Sequence, residues 1–187
     1  MRIAVYCGST PGNDGACLRA ASELGAWMGR NGHELLYGGS KTGLMGALAD
    51  GVLAAGGAVT GVVPNVPSIK ARMHPGLTAV VETETMAERK AVMLRAEAWI
   101  ALPGGLGTLD EITEVLSLRS LDLVRGPVIF YSVNGYYEPL KPVFDNILQR
   151  GFGRPAFFSG VVFAACLEEV SQALAGPAEG AAGAETP

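Results

Sequence analysis

The stretch ALPGGLGTLDE, Ala101 to Glu111, reads as the end of a buried strand, a glycine-rich turn and the start of a helix that carries two carboxylates in its first turn. A strand that passes straight into a helix through glycines is the building unit of a parallel sheet. Such a turn is also able to hold a phosphate, because glycines let backbone N–H groups approach an anion closely and the helix adds its positive end. Outward from this unit the pattern repeats. Short apolar runs at 2–7, 34–37, 58–63, 78–82, 98–102, 127–131 and 161–164 alternate with amphipathic stretches to about residue 175. The pattern predicts an α/β fold, a doubly wound parallel sheet flanked by helices, formed as a single domain over residues 1–175.

One of the crossover stretches, NDGACLRAASELGAWMGRNG, offers Asn13 or Asp14 as a cap, Leu18, Ala21, Leu24 and Met28 at helical spacing, and Gly32 after the last turn. The segment PNVPSIKARMHPG, residues 64–76, carries three prolines and no clean period, which predicts a loop over the sheet edge or the site, of the kind that acts as a lid. Residues 176–187 are small and polar, and predict a disordered tail.

Composition narrows the function. The 187 residues are 49% hydrophobic and 17% charged with a net charge of -4, and the pI is near 5.2. No basic surface for nucleic acid is indicated, so a small-molecule partner is expected. The apolar run after Arg2 is too short for a signal peptide or a membrane span, which predicts a cytoplasmic protein without a membrane partner. Cys7, Cys17 and Cys166 are odd in number and embedded in apolar segments, which fits reduced thiols rather than disulfides or a metal site. Cys7, at a strand end beside a glycine, is read as core packing ahead of a catalytic thiol. His33 and His74 are too isolated to build a metal cluster.

Three strand-to-helix turns are glycine-rich: CGSTPG after the first strand, YGGSKTGLMG after the second and LPGGLGT after the fifth. In a parallel sheet all three emerge at the same edge, where ligands bind. A dinucleotide site would need G-x-G-x-x-G after the first strand, and only Gly8 and Gly12 are there. A Walker loop is excluded by GGSKTG, whose Lys41-Thr42 precedes the last glycine at the wrong spacing.

The acids allow two readings. If Thr108 opens the helix, Glu111 three residues later completes a capping box, and its role is structural. If Glu111 faces the cleft, its role is chemical, while Glu114 follows on the same face and Asp110 points about a quarter-turn away. Upstream, TMAERKAVMLRAEAW reads as an amphipathic helix with Met86, Val92 or Met93, and Ala96 on its buried side. Arg89 and Lys90 near its start oppose the helix dipole, which points to a task elsewhere unless they form a solvated face balanced by Glu88. One helix and one strand separate Arg89 from Glu111, so the two are able to meet across the cleft.

The segments YGGSKTGLMGALADG, MAERKAVM and LPGGLGTLDEITEV resemble the motifs of the LOG (Lonely Guy) family of cytokinin-activating phosphoribohydrolases. The family hallmark P-G-G-x-G-T-x-x-E is matched by Pro103, Gly104, Gly105, Gly107, Thr108 and Glu111, and the resemblance runs from IAVYCGST to about Arg154. It implies a Rossmann-like homodimer that cleaves the N-glycosidic bond of a nucleoside 5'-monophosphate, AMP or N6-modified AMP, to free base and ribose 5-phosphate without a cofactor or metal. Arg89 and Glu111 fall on the family's catalytic residues. On this reading the amides of Gly104, Gly105, Leu106, Gly107 and Thr108 hold the 5'-phosphate, with Lys90 as a further substrate contact. Gly38, Gly39 and Ser40 border the sugar or base. A carboxylate at Glu111 would stabilise the cation that develops at the anomeric carbon, or orient water. MLRAEAW and EVLSLRSL carry enough apolar residues for helix contacts beyond one monomer's core, as the implied dimer needs, unless the same residues pack internally. The older lysine decarboxylase label of the family finds no support, since no Schiff-base lysine with a partner for a pyridoxal ring is visible. The competing reading is a non-hydrolytic nucleotide or molybdenum-cofactor carrier on the same scaffold, against which Arg89 and Glu111 argue.

Overall fold

In the computed structural model, which describes residues 1–176, the strands are β1 (Arg2–Tyr6), β2 (Glu34–Tyr37), β3 (Val59–Pro64), β4 (Ala79–Thr83), β5 (Ala98–Ala101), β6 (Val128–Tyr131) and β7 (Val161–Ala164). They form one parallel sheet in the order β4-β3-β2-β1-β5-β6-β7. All seven expected strands are present, each within a residue of its expected ends. The helices are α1 (Gly15–Arg30), α2 (Gly43–Ala54), α3 (Pro67–Lys70), α4 (Met86–Met93), α5 (Leu106–Ser120), α6 (Leu140–Gln149) and α7 (Leu167–Ala175).

The central strands alternate their side chains between two cores. Ile3 and Val5 pack with Leu24 of α1, Leu48 of α2 and Val170 of α7. Ala4 and Tyr6 pack on the other face with Met93 of α4, Ile112 and Val115 of α5 and Phe144 of α6. A strand buried on both faces reads as an unbroken apolar run, which is why these strands were legible. Winding reverses between β1 and β5: the chain leaves β1 towards one face and β5 towards the other. The loops diverge there and leave a crevice at the carboxyl ends of the strands.

Asp14 caps α1, its Oδ1 accepting from the Ala16 N–H at 2.9 Å. The proline-bearing loop contains the short α3 and is fastened down. Lys41 N–H donates to Arg72 O at 2.9 Å and His74 N–H donates to Gly39 O at 2.8 Å, either side of a bridge between Ser40 and Met73. The buried His74 ring joins the loop to α2, with Nε2 3.0 Å from Asp50 and Nδ1 accepting from Gly76 N–H.

Cys7 and Cys17 are buried, as expected of apolar segments, whereas Cys166 is exposed, because it precedes α7 at the protein surface. No described helix is long and apolar enough to cross a membrane. The tail expected to be disordered falls, apart from Gly176, outside the described residues.

Candidate active site

The three glycine turns meet at the crevice. Gly8 N–H donates to Pro103 O at 3.0 Å, Met45 N–H donates to Gly8 O at 3.3 Å, and Thr42 Oγ1 donates to Ser9 O at 2.9 Å. Beside them α5 opens at Leu106 with Gly105 as its N-cap, three residues before the start that the capping box requires. Extended backbone at Gly105 (φ -88°, ψ -159°) begins the helix early, so Thr108 lies in its first turn and Glu111 in its second. The capping-box reading of Thr108 and Glu111 is therefore wrong. The opening N–H groups of α5 have no partner within the helix and are free for an anion. Thr108 is buried against Gly104, where a Cβ would collide with the Thr108 hydroxyl.

The reciprocal cap belongs to α4 instead. Thr85 Oγ1 accepts from Glu88 N–H at 3.1 Å, and the Glu88 carboxylate accepts from Glu84 N–H at 2.9 Å. Glu88 is thus engaged at the helix start, which leaves Arg89 to turn inwards. Its Nε donates to Val62 O at 3.2 Å and its Nη1 donates to Glu111 Oε1. Both residues are only 9% exposed. Burial raises the Glu111 carboxyl above its ordinary value, against the Arg89 charge that lowers it. Burial and the Glu111 charge also push the Cys7 thiol far up, so Cys7 borders the crevice as a protonated thiol and not as a nucleophile.

A cavity of about 350 Å³ opens in front of the ion pair, within the range of small-molecule sites. Gly8, Ser9, Gly105, Gly107 and Thr108 form one wall; Gly38, Ser40, Met45, Arg89 and Glu111 line it further; Ile69, Arg72 and Met86 also border it. A Cβ at Gly38 would collide with the Arg89 guanidinium and lie 2.7 Å from Met45 Cε, so any side chain there displaces the tips of both.

The profile of a family described as "possible lysine decarboxylase" matches residues 45–174. A cytokinin riboside 5'-monophosphate phosphoribohydrolase of Rhodococcoides fascians is 37% identical over 177 residues, 94% of this chain and 89% of that protein. One of Arabidopsis thaliana is 36% identical over 174 residues, 92% of this chain and 82% of that protein. The chain belongs to the LOG family. A solved molybdenum cofactor binding protein from Rippkaea orientalis superposes with a TM-score of 0.70 at 22% identity, covering 91% of this chain and 93% of that one. At that identity the likeness shows a shared fold.

On this LOG scaffold the hallmark is the turn and helix at the winding reversal. Of the residues singled out in the sequence, Arg89, Glu111, Gly38, Ser40, Gly105, Gly107 and Thr108 are brought together around the cavity. Gly39 and Gly104 stand behind the wall, Gly39 at φ 79° against Val63 and Gly104 against Gly8 and Thr108. The Leu106 side chain is 85% exposed and only its backbone belongs to the turn. Lys90 does not line the cavity; its ammonium is held 3.1 Å from Asp110 and 3.1 Å from Glu114 at the outer edge of α4 and α5. Met86, read as buried, is 46% exposed, because as the first residue of α4 it sits at the cavity mouth. Met45, Ile69 and Arg72 were missed. The proline-rich character of residues 64–76 was the one signal for the last two.

Proposed function

We propose that this LOG-family chain hydrolyses the N-glycosidic bond of a nucleoside 5'-monophosphate, AMP or N6-modified AMP, acting in the cytoplasm as a homodimer. The observation that carries the reading is the buried Arg89–Glu111 pair, set in a cavity wall beside the free N–H groups of α5. The named activity of the relatives from Rhodococcoides fascians and Arabidopsis thaliana supports it.

In this mechanism the 5'-phosphate sits on the amides of Gly105, Leu106, Gly107 and Thr108, which fixes the sugar for chemistry at its far end. Water adds to the anomeric carbon as the C–N bond breaks, the bonding pair leaves on the base nitrogen, and the base is released with a proton. Glu111 faces the anomeric carbon as a carboxylate, stabilising the developing cation and orienting the water. Arg89 keeps that carboxylate ionised in its buried setting and holds its direction. The apolar mouth made by Met45, Ile69 and Met86 receives the base, with room for an N6 substituent. Exposed Leu121 and Leu123, just beyond α5, supply apolar surface for the second subunit.

Pyridoxal-dependent decarboxylation does not fit these residues. It needs a lysine at the cavity for the Schiff base, and the described lining contains none, Lys90 being engaged by Asp110 and Glu114. The carrier reading has only the shared fold behind it. Incubation with AMP and with N6-isopentenyl-AMP, followed by chromatography, tests the proposal: free base and ribose 5-phosphate are expected in equal amounts. Release of base from neither, with intact nucleotide co-purifying, would overturn it. Elution volume on a sizing column tests the dimer.

A further inference from the structure

An anion site built from backbone has a difficulty: every peptide that offers an N–H also carries a carbonyl whose lone pairs repel the ligand. In the turn between β5 and α5, three consecutive carbonyls are each taken up by a donor. Leu102 O accepts from the Tyr137 hydroxyl at 2.7 Å, Pro103 O from Gly8 N–H at 3.0 Å, and Gly104 O from the Tyr136 hydroxyl at 2.5 Å. The two tyrosines come from the segment that follows β6, and neither borders the cavity itself.

We propose that Tyr136 and Tyr137 are positioning residues for the phosphate-binding turn, holding its carbonyls away from the ligand so that its N–H groups face the cavity. This rests on the phosphate role given to that turn above. The carbonyl and N–H of a trans peptide point in opposite directions. Drawing Gly104 O towards Tyr136 therefore aims the Gly105 N–H the opposite way, and Gly105 borders the cavity. Without the tyrosine, the glycines on both sides of this peptide would let it rotate and present its oxygen to the anion.

The tyrosines are themselves held in place. The Tyr137 ring is 1% exposed and packs edge-on against Phe130 at 5.1 Å and against Tyr136 at 4.9 Å. Its N–H donates to Ser132 Oγ at 2.9 Å, and Ser132 N–H donates to Ala164 O at 2.7 Å, which ties the segment to the end of β7. Asn134, at φ 49°, donates through Nδ2 to Asp14 Oδ2 at 2.7 Å and so ties it to the cap of α1. Burial raises the Tyr137 hydroxyl, which keeps it a donor. The turn is thus referenced to β6, β7 and α1 as well as to its own helix.

The test is calorimetric titration of ribose 5-phosphate into the full chain and into Tyr136→Phe, Tyr137→Phe and Tyr131→Phe, with melting temperatures recorded for each. Tyr131→Phe removes the hydroxyl of a tyrosine in the opposite core that holds no carbonyl of the turn, and controls for general loosening. Removing one neutral hydrogen bond that orients a binding group should weaken Kd roughly three- to tenfold in each of the first two variants. The control should stay within about twofold of the unaltered chain. Unaltered affinity in Tyr136→Phe or Tyr137→Phe overturns the role of that hydroxyl, and equal weakening in Tyr131→Phe overturns both. Failure of the unaltered chain to bind ribose 5-phosphate overturns the proposed function, and this inference falls with it.

Discussion

Replacing Arg89 by alanine should unfold the protein more easily in a way that depends on pH. The substitution strips the charge partner from the buried Glu111 carboxylate and one donor from Val62 O. Removing one member of a buried ion pair costs about 3–5 kcal/mol, which for a domain of this size lowers Tm by roughly 10 °C. Burial already raises Glu111, and Arg89 is the main influence holding it down, so the variant's carboxyl rises further. An acid that is raised in the folded state binds more protons folded than unfolded. Stability is therefore lost as pH climbs from the ordinary carboxylate value through the raised folded one. The deficit of Arg89→Ala should be largest near neutral pH and shrink as the medium is acidified towards about pH 5. Adding Glu111→Gln to Arg89→Ala removes the stranded charge and should recover most of the loss. Thermal melts of the unaltered chain and of the two variants across that range check this. A Tm for Arg89→Ala within about 2 °C of the unaltered chain, a deficit indifferent to pH, or no recovery in the double variant would refute the reasoning.

The same raised carboxyl sets the pH profile. The acid limb of kcat/KM should fall above the ordinary glutamate value of 4.5, and a limb at or below it would contradict the assignment. Gly38→Ala should cut activity at least about tenfold and lower Tm by no more than Arg89→Ala does, because the added methyl displaces the Arg89 guanidinium from its place against Glu111 without removing it; steady-state assays and melts decide it. Lys90→Ala should leave KM within about twofold, since it breaks only rim ion pairs with Asp110 and Glu114. A tenfold rise in KM would return Lys90 to the substrate.

The sheet was legible because strands buried on both faces write continuous apolar runs between glycines and caps. The meeting of Arg89 with Glu111 was legible as well, since α4, β5 and α5 are consecutive and the turn between them cannot be long. Local ambiguity hid the rest. Thr85 to Glu88 and Thr108 to Glu111 share one spacing, T-x-x-E, and only the first forms the reciprocal cap. The difference lies in Gly105, whose extended backbone starts α5 before Thr108 is reached, and a glycine carries no side chain from which to read that choice. Met86 has the spacing of a core residue but sits on the first turn, where the neighbouring space is cavity. Ile69 and Arg72 come to the site through loop contacts with Gly39 and Lys41, which follow no period. Tyr136 and Tyr137 act on backbone carbonyls more than thirty residues earlier in the chain, a pairing that no local pattern encodes.

Comparing the unaltered chain with Glu111→Gln on AMP and on N6-isopentenyl-AMP, with base and ribose 5-phosphate quantified by chromatography, tests the central claim most directly. The unaltered chain should release both products in equal amounts from at least one substrate. Glu111→Gln should fold and bind the nucleotide yet release base roughly a thousandfold more slowly. Full turnover by a folded Glu111→Gln protein would contradict the assignment of the chemistry to this carboxylate.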